Sequence, residues 1–361
     1  MASAAAPRPA FRALRDFLAA SVDSGLVPGA VAAVGRASGL VYHEAFGRRA
    51  LLPRRETMTL RTIFDLASLT KVLVTAPLVV EDSILGAVSL DDPLERHLVE
   101  TKGTEVGAIP LRLLLTHAAG FVPDNPLEDY RGSKEALFAA IAREPLATPP
   151  GARSVYSDVG FVLLQGVLER RGARSLKRLA EDRIFRPLGL KDTRFGIRAE
   201  DRSRTAPTEA VRGRWLRGTV HDPRARAAAL RGVGGHAGVF GTAVETARYC
   251  EMILNRGVLN GRRVLLEETV RSMTTNQCDP SLGVRRGFGF DIESPYSAPR
   301  GSLFSRNSFG HTGWTGVSLW IDPETDGYLV LLTNAIHPDG HKDLKAFRAD
   351  AATLAARALG R

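Results

Sequence analysis

The pattern of hydrophobic and polar positions predicts helices at both ends of the chain and strands just inside them. Apolar residues recur at helical spacing over Phe11–Val22 and predict an amphipathic helix. Two short β-like runs follow, at 30–36 and 41–47, and Ser38-Gly39 between them predicts a hairpin. β-like patterns return late in the chain, at 287–292, 309–321 and 327–333, before a closing helix over about 344–359.

Helical patterns dominate the middle of the chain. The segment Asp65–Leu85 is apolar and rich in residues that favour helices, and Gly86 stands just past its end. Further helical patterns cover 110–115, 134–141, 159–170, 175–184, 244–254 and 267–273.

Strands near both ends with helices between them favour one interrupted unit over two consecutive domains. We predict an α/β (α+β) fold in which the N- and C-terminal helices cover one face of an antiparallel sheet. An all-helical subdomain is inserted into this unit. On this prediction, residues 1–66 and 285–361 form the sheet subdomain, and residues 67–284 form the helical subdomain.

Composition places the chain among ordinary globular proteins. Its 361 residues are 44% hydrophobic and 24% charged, which is enough for a large core. The net charge of +10 raises nucleic acid as a partner, but only seven of the 49 basic residues are lysine, and arginine is spread along the whole chain. Because no recognition motif accompanies this diffuse charge, we expect no nucleic-acid partner.

The sequence carries no recognisable targeting or membrane signal. The segment Met1–Leu26 has no uninterrupted apolar run of the kind found in signal peptides. No apolar run elsewhere is long enough to span a bilayer, so we expect no membrane span. A cytoplasmic protein is the expectation, with a periplasmic or secreted form as the alternative.

The cysteines and histidines do not predict a metal site. Cys250 and Cys278 are far apart without metal-ligand spacing, and two buried free thiols are favoured over one disulfide. Only His337 and His341 have the HxxxH spacing, and the intervening Pro338 and Gly340 argue against the helix that would align them. We expect no metal and no other cofactor, and no pattern in the chain specifies an oligomeric state.

The segment with the most chemical content is Phe64–Lys71, which reads FDLASLTK. Ser68 and Lys71 are three residues apart and share a face if they lie on a helix. A serine hydroxyl is inert until a base takes its proton, and a lysine serves when burial lowers its pKa. The same spacing also arises from a serine N-cap followed by a surface lysine, so the pair alone is a weak signal.

Two further motifs follow in order and make the Ser68–Lys71 pair a much stronger signal. Tyr156-Ser157-Asp158 begins 88 residues after Ser68, and His311-Thr312-Gly313 begins another 155 residues on, in an apparent strand. This ordered set resembles the penicillin-recognising serine enzymes: class C β-lactamases, DD-peptidases and the family VIII-type carboxylesterases related to them. The segments at 113–120, 187–193 and 234–242 resemble other recurring parts of that family. The resemblance covers about residues 10–355, as a single β-lactamase-related domain.

The resemblance implies a role for each motif. Ser68 is the nucleophile that becomes acylated, Lys71 accepts or relays its proton, and Tyr156 protonates the leaving group and later helps to activate water. The backbone N–H groups of Ser68 and Trp314 form an oxyanion hole. The remaining residues implied to line the substrate site are His311, Thr312, Gly313 and Asp158.

Two residues depart from the β-lactamase pattern. His311 stands where most members have lysine, and an imidazole is mostly neutral near pH 7, so it supplies less fixed charge for a substrate carboxylate. Family members with histidine here are often esterases or peptidases, and Trp314 adds an apolar wall beside the oxyanion hole. Asp158 stands where asparagine is usual. An ionised aspartate cannot donate to a substrate carbonyl, but it can pair with Lys71 and hold it charged, which weakens Lys71 as a base.

These observations predict a serine hydrolase that acts on a small-molecule ester or amide through a covalent acyl-Ser68. A short-chain carboxylic ester is the first substrate expected. The alternative within the same mechanism is a β-lactamase or a D-amino-acid peptidase. An alternative of another class is a binding or sensor protein whose acyl adduct does not turn over, and Asp158 is the feature that supports it. The loops Asp124–Ser133 and Arg202–Arg231 are expected to set specificity.

Overall fold

The computed structural model describes residues 9–361. Residues 1–8 lie outside that range. They belong to the predicted sheet subdomain and to the segment Met1–Leu26, in which no signal-peptide pattern is found. The α-helices of the described residues are α1 (Arg12–Asp23), α2 (Ala76–Ile84), α3 (Leu111–Leu115), α4 (Lys134–Ile141), α5 (Val159–Gly172), α6 (Leu176–Ala180), α7 (Pro223–Arg226), α8 (Ala243–Leu254), α9 (Glu267–Thr274) and α10 (Lys345–Ala358). A π-helical turn, Lys71–Thr75, leads directly into α2, and another, Glu181–Phe185, follows α6.

The strands come mostly from the two ends of the chain. They are β1 (Gly29–Arg36), β2 (Gly39–Ala50), β3 (Glu56–Thr57), β4 (Phe64–Asp65), β5 (Arg194–Phe195), β6 (Ala210–Val211), β7 (Arg214–Trp215), β8 (Val239–Gly241), β9 (Val258–Leu259), β10 (Arg262–Arg263), β11 (Arg285–Arg286), β12 (Asp291–Glu293), β13 (Phe309–Thr312), β14 (Ser318–Asp322) and β15 (Gly327–Thr333).

An eight-stranded antiparallel sheet organises the molecule, in the order β11-β12-β13-β14-β15-β1-β2-β3. The first strand of the chain therefore lies at the centre, paired with the last strand on one side and with its hairpin partner on the other. The connecting helical region carries a small sheet of its own, β4-β8-β5, so it is not purely helical. Two short hairpins, β6-β7 and β9-β10, complete the strands of the described residues.

The two faces of the central strand belong to two different cores. Val31 and Ala33 pack into the large core between the sheet and the helical region. Their alternating neighbours Ala30, Ala32 and Val34 pack on the opposite face, against the apolar sides of α1 and α10. Because both faces are covered, β1 is apolar up to its last residue, Arg36, rather than alternating with polar residues.

Two predicted elements differ from the structure in ways that matter for the site. Asp65 lies in β4 rather than in the predicted helix, since its backbone pairs with Phe240 of β8. The predicted strand 309–321 is a hairpin of β13 and β14, with His311 opposite Leu319. The chain reverses at 313–317, where Gly313 and Gly316 allow a tight turn that an apolar run does not reveal.

One other expectation is met by the described residues. Cys250 and Cys278 are both buried free thiols. Within residues 9–361, every helix is too short or too polar to cross a bilayer.

Candidate active site

Ser68 lies in a sharp turn between β4 and the π-helical turn that carries Lys71. The turn forces Ala67 into a left-handed conformation, with φ of 46°, which is uncommon for a residue with a side chain. Asp65 holds this strained backbone, because its Oδ1 accepts a hydrogen bond from the Ala67 N–H at 2.9 Å. Its Oδ2 accepts another from the His221 N–H at 2.7 Å. Burial raises the pKa of Asp65, whereas these contacts favour the carboxylate.

The Lys71 side chain is buried at the floor of the cleft and has three close acceptors. Its Nζ donates to Ser68 Oγ and to the backbone carbonyl of His236, both at 3.1 Å. The third neighbour is Asp158, whose Oδ1 lies 2.7 Å from Nζ and forms an ion pair with it. The structure thus brings Asp158 into contact with Lys71, as expected if the aspartate pairs with the lysine and holds it charged.

The charge of Lys71 is decided by two opposing effects. Burial lowers the pKa of Lys71, but the attraction of Asp158, together with Tyr156, outweighs burial and leaves that pKa above its usual value. Lys71 is therefore an ammonium ion at neutral pH. Burial in turn raises the pKa of Tyr156, although the positive charge of Lys71 opposes the change.

Tyr156 lies beside the same ammonium group and is held between aromatic rings. Lys71 Nζ is 4.9 Å from the centre of the Tyr156 ring. The ring of His117 packs against Tyr156 with a centroid distance of 4.5 Å, and the ring of Tyr296 lies at 5.4 Å. These contacts fix the phenol in a position where both Lys71 and Ser68 favour its ionised form.

His117 supports the Tyr156 loop as a buried neutral imidazole. Its Nδ1 accepts a hydrogen bond from the Ser157 N–H at 3.1 Å, which places its proton on Nε2. Burial holds the pKa of His117 well below its usual value, and Arg286 and Lys71 lower it further.

The β13–β14 hairpin forms the wall opposite Tyr156. Its turn begins at Gly313, where a β-carbon would lie 3.0 Å from the Leu66 carbonyl oxygen and 3.1 Å from the Ala67 β-carbon. Gly313 therefore lets the hairpin pack directly against the turn that carries Ser68. Within residues 9–361, the backbone N–H groups of Ser68 and Trp314 have no protein acceptor, so both are free to donate into the cleft they line.

His311 faces the cleft as a neutral side chain. Burial holds the pKa of His311 well below its usual value, and the charges of Lys71 and Arg286 lower it further. Its Nδ1 lies 2.7 Å from the Thr312 carbonyl oxygen, to which a protonated Nδ1 donates. Trp314 projects above it with 56% of its surface exposed and stacks on His341 at a centroid distance of 3.9 Å.

Together these residues enclose a cleft of about 570 Å³ with Ser68 at its base. The three motifs meet here, and a family model described as Beta-lactamase matches residues 14–353 of the chain. The chain belongs to the β-lactamase family. Because members of this family are serine hydrolases, the protein is a serine hydrolase with relatives among carboxypeptidases, esterases and β-lactamases.

Two enterobacterial relatives cover most of this β-lactamase-family chain. A protein of Escherichia coli O157:H7 named "Putative D-alanyl-D-alanine carboxypeptidase" is 29% identical over 356 residues, spanning 89% of this chain and 81% of the relative. A protein of the same name from Salmonella agona (strain SL483) is 30% identical over 325 residues, spanning 82% of this chain and 74% of the relative.

Solved structures share the β-lactamase fold over nearly the whole chain. EstCE1, described as a hydrolase with promiscuous acyltransferase activity, matches with a TM-score of 0.77 at 20% identity and covers 95% of this chain and 98% of its own. A class C β-lactamase matches with a TM-score of 0.77 at 19% identity, covering 97% and 95%. A penicillin-binding protein homologue from Caulobacter crescentus matches with a TM-score of 0.77 at 21% identity, covering 98% and 99%. The predicted fold class is therefore confirmed.

Two residues of this β-lactamase-family cleft carry no motif that would identify them in the sequence. Arg286 is 2% exposed and pairs with Asp291, whose Oδ1 lies 3.2 Å from its Nη1, while its buried Nε has no hydrogen-bond acceptor. Tyr296 extends the aromatic wall from Tyr156 toward solvent. Both reach the cleft because β12 lies beside β13 in the sheet and β11 lies beside β12, neighbour relationships that only the fold reveals.

A polar cluster lies behind Lys71, on the side of the cleft away from β13. Among residues 9–361, Asp158, Asp222 and His236 bring their potential ligand atoms within 4.8 Å of one another. Each already has a charged or hydrogen-bonding partner, since Asp158 pairs with Lys71, and His236 Nε2 lies 3.0 Å from Asp222 Oδ1. The two histidines with HxxxH spacing have different partners: His337 Nε2 accepts the Leu51 N–H at 3.0 Å, and His341 stacks on Trp314.

Proposed function

We propose that this protein hydrolyses small carboxylic esters through a covalent acyl-Ser68 intermediate. Ser68 Oγ attacks the ester carbonyl as its proton leaves toward Lys71. The developing oxyanion is stabilised by the N–H groups of Ser68 and Trp314, because these donors are aimed at charge that exists only in the transition state. Tyr156 donates a proton to the leaving alcohol and then helps a water molecule to attack the acyl group.

The observation that carries this proposal is the 3.1 Å contact between Ser68 Oγ and Lys71 Nζ beside Tyr156, in a cleft where position 311 is neutral. A neutral His311 does not demand a negative charge on the substrate. The exposed faces of Trp314 and Tyr296 offer apolar contact to an acyl chain instead. The similarity to EstCE1 in fold is consistent with ester chemistry on this scaffold.

The test is acylation and turnover of p-nitrophenyl acetate and butyrate, with Ser68→Ala as the control. We expect release of p-nitrophenol by the native protein and a mass increase of one acyl group on Ser68, both absent in Ser68→Ala. The proposal fails if the native protein neither turns over these esters nor is labelled by a fluorophosphonate probe. A stable acyl mass that persists for hours without turnover would instead support the sensor alternative.

A second candidate, a D-amino-acid carboxypeptidase, is supported by Arg286. A buried guanidinium with an unused N–H in the cleft wall is suited to the terminal carboxylate of a peptide. The names of the enterobacterial relatives point the same way. Release of D-alanine from a D-alanyl-D-alanine peptide, lost in Arg286→Gln while p-nitrophenyl acetate hydrolysis persists, would favour this activity. Turnover of nitrocefin that disappears in Ser68→Ala would favour a β-lactamase.

A further inference from the structure

The contacts of Lys71 leave the serine proton without an obvious acceptor. An ammonium group has three N–H donors, and Nζ is surrounded by Ser68 Oγ, the His236 carbonyl and Asp158 Oδ1, with the Tyr156 phenol as a fourth neighbour. All its positions are occupied as a donor, so Lys71 has no lone pair with which to accept the proton of Ser68. The ammonium ion must give one proton away as it takes another.

We propose that Asp158 is the terminal proton acceptor of a Ser68–Lys71–Asp158 relay. This proposal deepens the proposed function, on which it rests. As the Ser68 oxygen bonds to the substrate carbonyl carbon, the hydroxyl proton moves to Lys71 Nζ, and a different proton moves from Nζ to Asp158 Oδ1. Lys71 stays positive throughout, and the carboxylate becomes a carboxylic acid. When the leaving group departs, Tyr156 donates its proton to the leaving oxygen and takes another from Lys71, which recovers the proton held by Asp158, so that Asp158 is again ionised.

The position of Asp158 leaves its carboxylate available for this task. Asp158 is the residue before α5, where an aspartate usually caps the helix by accepting backbone N–H groups. Its side chain makes no such cap here, and Oδ1 has no aligned hydrogen-bond donor apart from the ion-pair contact with Lys71. Few hydrogen bonds therefore have to be broken when this oxygen takes up a proton.

Neighbouring charges favour the transfer. Asp222 is kept ionised by His236 and by its cap on α7, and its atoms lie in the same cluster as those of Asp158. Asp124 lies close enough that burial and the charges of Asp158 and Asp222 together raise its pKa. Two further carboxylates nearby repel the charge of Asp158, and the transferred proton relieves that repulsion. The titratable and charged groups that face Asp158 are Lys71, Tyr156, Asp124, Asp222 and His236.

The asparagine that is usual at this position cannot take part in such a relay. An amide does not accept a proton at neutral pH, and it also removes the charge that holds Lys71 as an ammonium ion. Burial alone then lowers the pKa of Lys71, and the lysine must lose its proton to solvent before it can act as a base. Asp158→Asn therefore changes which group limits the reaction at low pH.

The experiment measures the rate of Ser68 acylation against pH for the native protein, Asp158→Asn and Asp158→Glu. We expect the acid limb of Asp158→Asn to lie more than one pH unit above that of the native protein. Its acylation rate at pH 6 should fall by about 100-fold, within the range for a lost proton acceptor, and recover above pH 8. Asp158→Glu should restore the native acid limb at a reduced rate. Asp16→Asn, the same change on the exposed surface of α1, serves as the control.

Acylation in mixtures of light and heavy water gives a second readout that a structural role would not change. Two protons move together in the relay, so the native rate should depend on deuterium fraction along a curve, and the Asp158→Asn rate along a straight line. An unchanged acid limb in Asp158→Asn, or a straight line for the native protein, would overturn the relay while leaving the proposed hydrolysis intact. Failure of the native protein to acylate at Ser68 with either ester or fluorophosphonate would overturn both proposals.

Discussion

The Thr315 hydroxyl donates a hydrogen bond of 2.8 Å to the backbone carbonyl of Asp65, across 250 residues of sequence. Each of these residues lies close in sequence to one N–H donor of the candidate oxyanion hole. Asp65 fixes the turn before Ser68, and Thr315 follows Trp314. Both are fully enclosed, at about 2% exposure. This buried bond therefore ties together the two segments that carry the N–H donors.

We expect Thr315→Val to loosen this connection. Valine has nearly the same shape but leaves the Asp65 carbonyl without its donor, at a cost of about 1–3 kcal/mol of unfolding free energy. The acylation rate should fall more than substrate affinity, because the change displaces donors that act in the transition state. Urea unfolding and the separate measurement of kcat and KM check this. Thr315→Ser, which keeps the hydroxyl, should stay close to the native protein on both measures.

Gly313→Ala should separate the hairpin from the nucleophile turn. The added carbon would lie 2.5 Å from the Val317 side chain as well as against Leu66 and Ala67, so the Trp314 N–H has to move away. We expect kcat to fall by about 10²–10³-fold, the usual effect of losing one oxyanion donor. Overpacking should cost about 1–3 kcal/mol of stability. Gly132→Ala, outside the cleft lining, meets only the Ala136 β-carbon at 3.3 Å, which a small shift relieves, and near-native activity is expected of it.

His117 should make the protein sensitive to acid. Because burial holds its pKa well below the usual value, the unfolded chain binds a proton that the folded protein does not once the pH falls below about 6.5. Stability should therefore rise with pH up to that point, by about 1.4 kcal/mol per pH unit from this residue. His117→Asn keeps an acceptor for Ser157 and suits the positive φ of 57°. Urea unfolding at pH 5 and 7 should show a smaller difference in unfolding free energy for this variant than for the native protein.

Trp314 should set preference among acyl groups rather than the rate of the chemical step. It lies on the cleft wall, largely exposed and stacked on His341. Trp314→Ala should raise KM for butyrate and phenylacetate esters several-fold and leave kcat and thermal stability nearly unchanged, since little buried surface is lost. Trp314→Phe, which retains an aromatic face, is the comparison. A fall in kcat with constant KM would contradict this role.

The sequence predicted the order of elements and the three motifs well, because both rest on local signals. Phe11–Val22 and 327–333 are long, strongly patterned segments, and their elements appear within one residue or so of the predicted bounds. The Ser68–Lys71 pair and the 311–313 triplet are short fixed spacings that need no knowledge of the fold.

The remaining features depend on tertiary contacts that have no local signature. The sequence around Asp65 is apolar and continues into a helix, but Asp65 itself pairs with β8 and belongs to a strand. The reversal at Gly313 was hidden within a continuous β-like run. Nothing in the sequence distinguishes Arg286 from the other arginines. Its place in the cleft lining follows from the sheet order, in which β11 lies two strands from β13. The sequence allows Asp158 to pair with Lys71 but does not require it, and the pairing is evident only from their proximity in the structure.

The central position of β1 has a consequence for how the chain is made. This strand leaves the ribosome long before its neighbour β15, which ends only at Thr333. Until then, one edge of a strand that is apolar up to Arg36 has no partner, which invites pairing with other chains. The sheet therefore cannot be completed until β15 has been made, and folding should be slow and largely post-translational, as expected for distant contacts. A nascent chain released before β15 would lack the strand that joins β14 and β13 to β1.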